Sequence, residues 1–299
     1  MSFIPTAYSE NASLRIFLDS LSYHKVGARF FASKIAELEP PKSWSLLDVG
    51  CGEAQFTKEL LAELSKVNCL PKTVNALDPD ADNLKQYSSR LKSFRKLSVR
   101  HQHAGVENFN CEKCFIVICS HSLYQTFENP NLGSREKDSI LRNLLRHVDK
   151  GALLISLASE KSHAYKYKRQ ILNDCGELDR SVFGENLAQR FGALKLPFEQ
   201  TLHDSYMDVT NLIEGDDAKL FGWTQYFCRL STGQVNEIGA IHLRAVLESL
   251  AIKFSDLPIE TQKSYQSAPA ACGSPLPDSM ILPHREVFIV SRDSPSGAR

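Results

Sequence analysis

The sequence predicts an α/β fold, a mostly parallel sheet wrapped by helices with further helices attached as a cap. Three observations carry this. The apolar strand Ser45 to Val49 runs into the glycine turn Gly50-Cys51-Gly52 and then into an amphipathic helix with Phe56, Leu60, Leu61 and Leu64 on one face. Apolar runs of strand length then alternate with helical patterns as far as Leu157. The run Cys114 to Cys119 is apolar throughout, as a parallel strand buried on both faces requires. Such alternation implies right-handed crossovers and a ligand crevice at the carboxyl ends of the strands.

In chain order, residues 10–38 read as two helices, because Leu14, Phe17, Leu18 and Leu21 and then Val26, Phe30, Phe31 and Ile35 keep helical spacing. Pro40-Pro41 ends the second. Val74 to Leu77 predicts a second strand, and Asp78-Pro79-Asp80 starts a helix whose apolar face is Leu84, Tyr87 and Leu91. A third strand lies around Leu97 to Arg100. After the fourth, at Cys114 to Cys119, a helix carries Ile140, Leu141, Leu144, Leu145 and Val148, broken by Lys150-Gly151 before a strand from Ala152 to Leu157.

Beyond Ala158 the alternation weakens. Helices are expected over 160–175, Val182 to Phe191, 217–230 and 235–252, with strand character from Phe198 to Val209. Ser264 to Pro283 reads as a loop rich in Pro, Ser, Ala and Gly, Glu286 to Val290 as a last short strand, and the tail from Asp293 as disordered.

Lys plus Arg and Asp plus Glu both number 35, which leaves no basic footprint for nucleic acid and no field for an anionic membrane. A small, weakly charged substrate suits that balance. Met1 to Thr6 has neither a basic nor an apolar leader pattern, and no run has the length to span a bilayer, so a soluble cytoplasmic protein is expected. The eight cysteines are scattered, which fits reduced thiols, and the lone pair Cys111 and Cys114 reads as surface thiols rather than a metal site.

The glycine turn is the first candidate binding element. Gly50 and Gly52 can take positive φ and carry no side chain, so a nucleotide-like ligand can approach the main chain where a helix begins. Asp78, at the end of the second strand, can accept from the two adjacent hydroxyls of a ribose; the competing role is a helix cap. A dinucleotide fingerprint needs a third glycine for close helix packing, and that position is Gln55. This argues against a nicotinamide oxidoreductase.

The segment Asp48-Val-Gly-Cys-Gly-Glu-Ala resembles the first motif of the Rossmann-like methyltransferases that bind S-adenosylmethionine, with Ala54 as its last small residue. The Phe17-Leu18 helix, Asp78-Pro79, the segment from Phe115 to Tyr124 and the closing Val287 to Val290 together resemble histamine N-methyltransferase and its relatives. That resemblance implies a class I methyltransferase fold with a seven-stranded sheet in a single domain, comprising N-terminal cap helices (1–42), a cofactor-binding core (43–159), a substrate cap with the last strands (160–293) and a tail (294–299). It implies S-adenosylmethionine held by Asp48, Gly50, Cys51, Gly52, Gln55, Asp78, Pro79, Asn83, Gly105, Val106 and Ser120. In the adenine loop Gly105 stands where relatives carry an acid, so backbone amides and Val106 are expected to make that contact.

By position, the resemblance places an acceptor pocket on Tyr23, Tyr124, His163, Tyr167 and Trp223, with His121 and His284. The relatives carry an acid and two amides where this chain has Tyr23, His121 and His284, so histamine itself is not the expected substrate. The aromatic faces suit an amine, a methylated nitrogen or a flat ring. His121 follows a buried strand at its carboxyl end and can take a proton from, or orient, an attacking amine or hydroxyl; His284 can do the same from the last loop. No carboxylate accompanies the two histidines in sequence, so no metal is expected. The expected function is transfer of a methyl group to a small molecule by a monomer, on nitrogen in preference to a hydroxyl or carboxylate oxygen, with no nucleic-acid or membrane partner. The alternative from another class is a non-catalytic S-adenosylmethionine-binding protein.

Overall fold

The computed structural model describes residues 12–292, with side chains from residue 15. The leading segment Met1 to Thr6, the side chain of Leu14 and the tail 294–299 lie outside the described residues. The chain divides into two compact units. Of the described residues, the core unit comprises 27–158, 181–202 and 287–292, and the helical unit comprises 12–26, 159–180 and 203–286.

The elements follow in chain order as α1 (Ala12–Ser20), α2 (Tyr23–Glu37), β1 (Ser45–Val49), α3 (Gln55–Lys66), β2 (Thr73–Asp78), α4 (Ala81–Arg90), β3 (Ser98–His103) and β4 (Cys114–Ser120). Next come α5 (Leu123–Glu128), α6 (Ser134–Arg146), β5 (Val148–Ala158), α7 (His163–Asp174), α8 (Gly184–Ala193) and β6 (Glu199–Asp208). The chain continues through α9 (Thr210–Ile213), α10 (Asp217–Cys228), α11 (Thr232–Ile238), α12 (Ala240–Leu250), β7 (Ile252–Lys253), α13 (Ile259–Ser267) and β8 (Met280–Arg292).

The strand order is β3-β2-β1-β4-β5-β8-β6, with β7 on β8. Pairs β1–β2, β2–β3, β1–β4 and β4–β5 are parallel, and β7–β8 is antiparallel. The expected Rossmann-like, mostly parallel sheet is present, with eight strands rather than seven because Ile252 and Lys253 add a short pairing. Order reverses between β1 and β4, so the carboxyl ends of these neighbours diverge into crossovers on opposite sides and leave a crevice.

In the core unit Leu47, Val117, Cys119, Leu153 and Ile155 form the sheet's contribution to an apolar cluster that Leu141 and Leu144 of α6 and Leu187 and Phe191 of α8 complete. Full burial of each such leucine or isoleucine contributes about 1.5–3 kcal/mol. Phe31 and Phe288 meet edge to face at 5.6 Å, which fixes α2 on the end of β8. The helical unit has its own core, built by Tyr167 and Ile171 of α7, Leu220, Trp223 and Phe227 of α10, and Leu243 and Leu247 of α12. A smaller cluster joins Tyr206, Phe254, Tyr265 and Ile281. Among the described residues no helix is long and apolar enough to cross a membrane.

Four local expectations are corrected. Lys150-Gly151 does not break a helix: α6 already ends at Arg146, and the pair falls inside β5, where the register against β4 slips between Cys114 and Ile116. Val148 therefore belongs to the strand. The helix expected over 235–252 is two, separated at Gly239. The loop expected from Ser264 shrinks from both ends, because α13 runs to Ser267 and β8 starts at Met280. Cys114 is not a surface thiol; it is 1% exposed on β4, with Asn75 Nδ2 3.2 Å from its sulfur.

Candidate functional site

The carboxyl ends of β1, β2 and β4 converge on the glycine turn. Gly50 and Cys51 both donate backbone N–H groups to the Leu77 carbonyl, at 2.8 and 3.1 Å, which pulls the turn against the end of β2. Gly52 donates its N–H to Asp78 Oδ2 at 2.8 Å. Asp78 Oδ1 accepts from the Asp80 N–H at 2.9 Å and from Asn83 Nδ2 at 3.1 Å. The cap of α4 is Asp80, whose side chain accepts from the Asp82 and Asn83 N–H groups, so Asp78 has a different task.

An ionised carboxylate offers about four acceptor positions, of which these three bonds leave one on Oδ2. Burial pushes the Asp78 carboxyl up, against the lowering effect of the Asp80, Gly52 and Asn83 donors. Two polar atoms around the turn are orphaned: Asn83 Oδ1, on the side chain bonded to this carboxylate, and Ser122 Oγ, on the segment that abuts Gly50, are buried without a hydrogen-bond partner. Buried polar atoms are ordinarily paired, so this pair calls for a ligand carrying both donors and acceptors. A Cβ placed on Gly52 would meet nothing within 4 Å, so the turn has open space on that side.

Asp48 differs from the other predicted cofactor residues. It is 3% exposed, and its Oδ2 accepts from the hydroxyls of Thr57 and Tyr87, the latter at 2.9 Å. It ties α3 and α4 to β1, and burial raises its carboxyl to about 6. Burial likewise pushes the Cys51 thiol far up, which leaves it inert. Gln55 opens α3 behind Ala54, which takes a φ of 68°.

At the end of β4, Ser120 accepts from the Ser156 hydroxyl at 3.0 Å, and the His121 N–H donates to the Ser156 carbonyl at 3.0 Å. His121 holds a φ of 52°, a left-handed conformation that costs a residue with a Cβ about 1–2 kcal/mol. Such strain collects at binding and catalytic positions. Tyr124 follows on α5, half-buried against the core cluster.

The loop after β3 brings Gly105 and Val106 beside the same edge, because the Ala104 N–H donates to the Asp78 carbonyl at 3.2 Å and the His103 ring pairs with the Pro79 carbonyl at 2.8 Å. The acid missing from position 105 returns in space. Glu107 Oε2 sits 2.4 Å from where a Cβ on Gly105 would be, and Glu107 Oε1 accepts from the Thr126 hydroxyl at 3.2 Å.

The remaining predicted residues belong to the helical unit. Tyr167 and Trp223 are fully buried and meet at 5.3 Å in that unit's core; the Tyr167 hydroxyl pairs with Thr224 Oγ1 at 2.8 Å, and Trp223 Nε1 has no partner. Tyr23 is 7% exposed against His24. His163 opens α7, and burial lowers its pKa. His284 is not on a loop but within β8, 2% exposed. Its Nδ1 lies 2.5 Å from Ser162 Oγ and its Nε2 2.7 Å from Glu286 Oε1.

Sequence reading passes over Ser122, Glu107, Ser162 and Glu286. Glu286 carries a usable signal, since residues two apart on a strand share a face and His284 is itself a candidate. Ser162 reads as an ordinary helix cap.

No protein-family profile matches the chain, and no curated protein sequence matches it. Solved structures do. The YcgJ protein of Bacillus subtilis is 12% identical over 91% of this chain and 100% of its own, with a TM-score of 0.48. The plantazolicin methyltransferase BpumL, in complex with SAH, is 12% identical over 91% of this chain and 85% of its own, at 0.44. The magnesium protoporphyrin IX methyltransferase of Synechocystis, with bound SAM, is 12% identical over 60% of this chain and 72% of its own, at 0.41. At these levels the functional assignment rests on this chain's own side chains.

Proposed function

We propose that this protein is an S-adenosylmethionine-dependent methyltransferase acting on a small molecule. The observation that carries the reading is the Gly52–Asp78 contact at the carboxyl ends of β1 and β2, with the orphaned Asn83 Oδ1 on the side chain bonded to Asp78 and the orphaned Ser122 Oγ on the segment that abuts Gly50. A ribose supplies adjacent hydroxyls that both donate and accept, which suits an Asp78 acceptor position together with Asn83 Oδ1. Glu107 is assigned to accept from an exocyclic amine such as that of adenine, and Val106 to make the apolar contact with the ring. The open side of Gly52 suits the amino-acid end of the cofactor. When bound, S-adenosylmethionine supplies a methyl group activated by its sulfonium.

The protein's part in the chemistry is positioning, with a histidine to orient the attacking atom or hold its proton. His121, at the crevice edge of β4, is assigned that task. Nitrogen is favoured over oxygen as the acceptor because the group the sequence resembles methylates nitrogen and Tyr124, three residues after His121, supplies an aromatic ring of the kind that holds an amine. Within the broader reading, the histamine N-methyltransferase-like group is the subgroup the sequence resembles.

A second reading, an S-adenosylmethionine-binding protein without turnover, is favoured by one observation: Tyr167 and Trp223, both expected to line the acceptor pocket, are fully buried in the core of the helical unit. Calorimetric titration of the folded chain with S-adenosylhomocysteine tests both at once. Saturable binding with no response to NAD is expected, and absence of binding overturns both. Transfer of labelled methyl from S-adenosylmethionine to any amine or hydroxyl in a small-molecule panel then decides for the enzyme.

A further inference from the structure

Ser162, His284 and Glu286 form an unbroken hydrogen-bonded row inside the helical unit. The hydroxyl lies 2.5 Å from His284 Nδ1, and His284 Nε2 lies 2.7 Å from Glu286 Oε1. Their exposures are 1%, 2% and 0%. Tyr165 stacks alongside the imidazole at 6.4 Å and 23°, which restricts its rotation.

The direction of the bonds is set by Glu286. A carboxylate only accepts, so in neutral His284 the proton sits on Nε2 and Nδ1 is left as the acceptor of the Ser162 O–H. Ser162 occupies the N-cap position of α7, where a serine hydroxyl ordinarily accepts from the helix N–H groups, yet it makes no such bond. The hydroxyl has been diverted to the imidazole. A hydroxyl bonded to a base that is itself oriented by a third group is the arrangement of an activated nucleophile, and it recurs on unrelated folds. The N–H groups of His163 and Ala164 open α7, a 12-residue helix, and are the donors an oxyanion would need; that of Tyr165 already donates to the Ser162 carbonyl at 3.1 Å.

The geometry points to a second activity: Ser162 is a nucleophile for acyl transfer from a small ester, with His284 as its base and Glu286 as the group that orients and charges that base. Ser162 Oγ adds to the ester carbonyl as its proton passes to His284 Nδ1, and the imidazolium is stabilised by Glu286. The C–O bond to the leaving alcohol breaks, and the alcohol takes that proton. Water then adds to the acyl carbonyl, again giving a proton to His284. Ser162 leaves with that proton and the acid is released, so ester plus water gives acid plus alcohol. This activity is independent of the methyltransferase reading.

The test uses the full chain and two small electrophiles, phenylmethanesulfonyl fluoride and p-nitrophenyl acetate. Peptide mapping is expected to place a single sulfonyl adduct on Ser162, with p-nitrophenolate release above background. S162A is expected to lose both while keeping its melt and its affinity for S-adenosylhomocysteine. H284Q should slow adduct formation by about a hundredfold or more, the usual worth of a general base. E286Q should slow it at least about tenfold, with partial recovery in E286D. A folded wild type that gives no adduct at Ser162, or an H284Q that reacts at the wild-type rate, overturns the proposal and leaves the row as an anchor between α7 and β8.

Discussion

Gly50 and Ser122 meet so closely that neither strand end can change alone: a Cβ added to Gly50 would stand 2.3 Å from the Ser122 Cβ. Gly50 also holds a φ of +65°. Gly50→Ala is therefore expected to destabilise the protein by about 2–4 kcal/mol, from overpacking and left-handed strain together. Adding Ser122→Gly should recover the overpacking share and leave the strain, a coupling that urea titration of both single variants and the double variant measures. Independent, additive effects would mean that Ser122 does not press on the turn.

Glu107 and Gly105 are coupled in the same way, but the consequence falls on binding. Gly105→Ala should push the carboxylate out of its place, and Glu107→Gln should remove its charge. Each is expected to weaken S-adenosylhomocysteine about tenfold, the worth of one hydrogen bond to a charged group. The deaminated analogue S-inosylhomocysteine has no amine to donate, so its affinity should respond much less. Equal losses for both ligands by calorimetry would remove Glu107 from adenine recognition.

The contrast between these two glycines shows how much of the site is legible in the sequence. The turn at Gly50 to Gly52 and the acid at Asp78 are legible because strand, turn and helix each leave a local pattern. Gly105 is legible only as a missing acid. What replaces it depends on where the Glu107 side chain folds back, which no spacing encodes. The Lys150-Gly151 pair misleads for a related reason, since residues that end a helix also make a bulge in a strand, and only pairing with β4 decides between them. His284 is separable from the last loop only once β8 is known to begin at Met280 rather than at Glu286.

Asp48 makes stability depend on pH. Burial raises its carboxyl to about 6 in the folded chain, above its unfolded value, so the folded state binds the extra proton. Its contribution is fully favourable below the unfolded pKa and is lost as pH rises through the folded one. Asp48→Asn keeps an acceptor for Thr57 and Tyr87 but cannot ionise. The stability of the variant relative to wild type is expected to improve by about 2–3 kcal/mol between roughly pH 4 and pH 7, because a tenfold difference in proton affinity between folded and unfolded chains is worth about 1.36 kcal/mol. Denaturant titrations at both pH values check this, and a difference that stays constant with pH would place the ionised carboxylate in a better-solvated setting.

His121 separates backbone strain from chemistry. Its φ of 52° is available to glycine without a steric penalty and to alanine only with one. His121→Gly and His121→Ala both delete the imidazole, so whatever the ring contributes is lost equally from the two. The glycine variant is expected to be the more stable by about 1 kcal/mol, read from urea midpoints at equal slope. Both should bind S-adenosylhomocysteine with nearly wild-type affinity, because the ring is assigned to the acceptor and not to the cofactor. If the alanine variant equals the glycine variant in stability, His121 is not strained. If both lose the cofactor, the ring belongs to its binding site, and the proton-handling task passes to another residue.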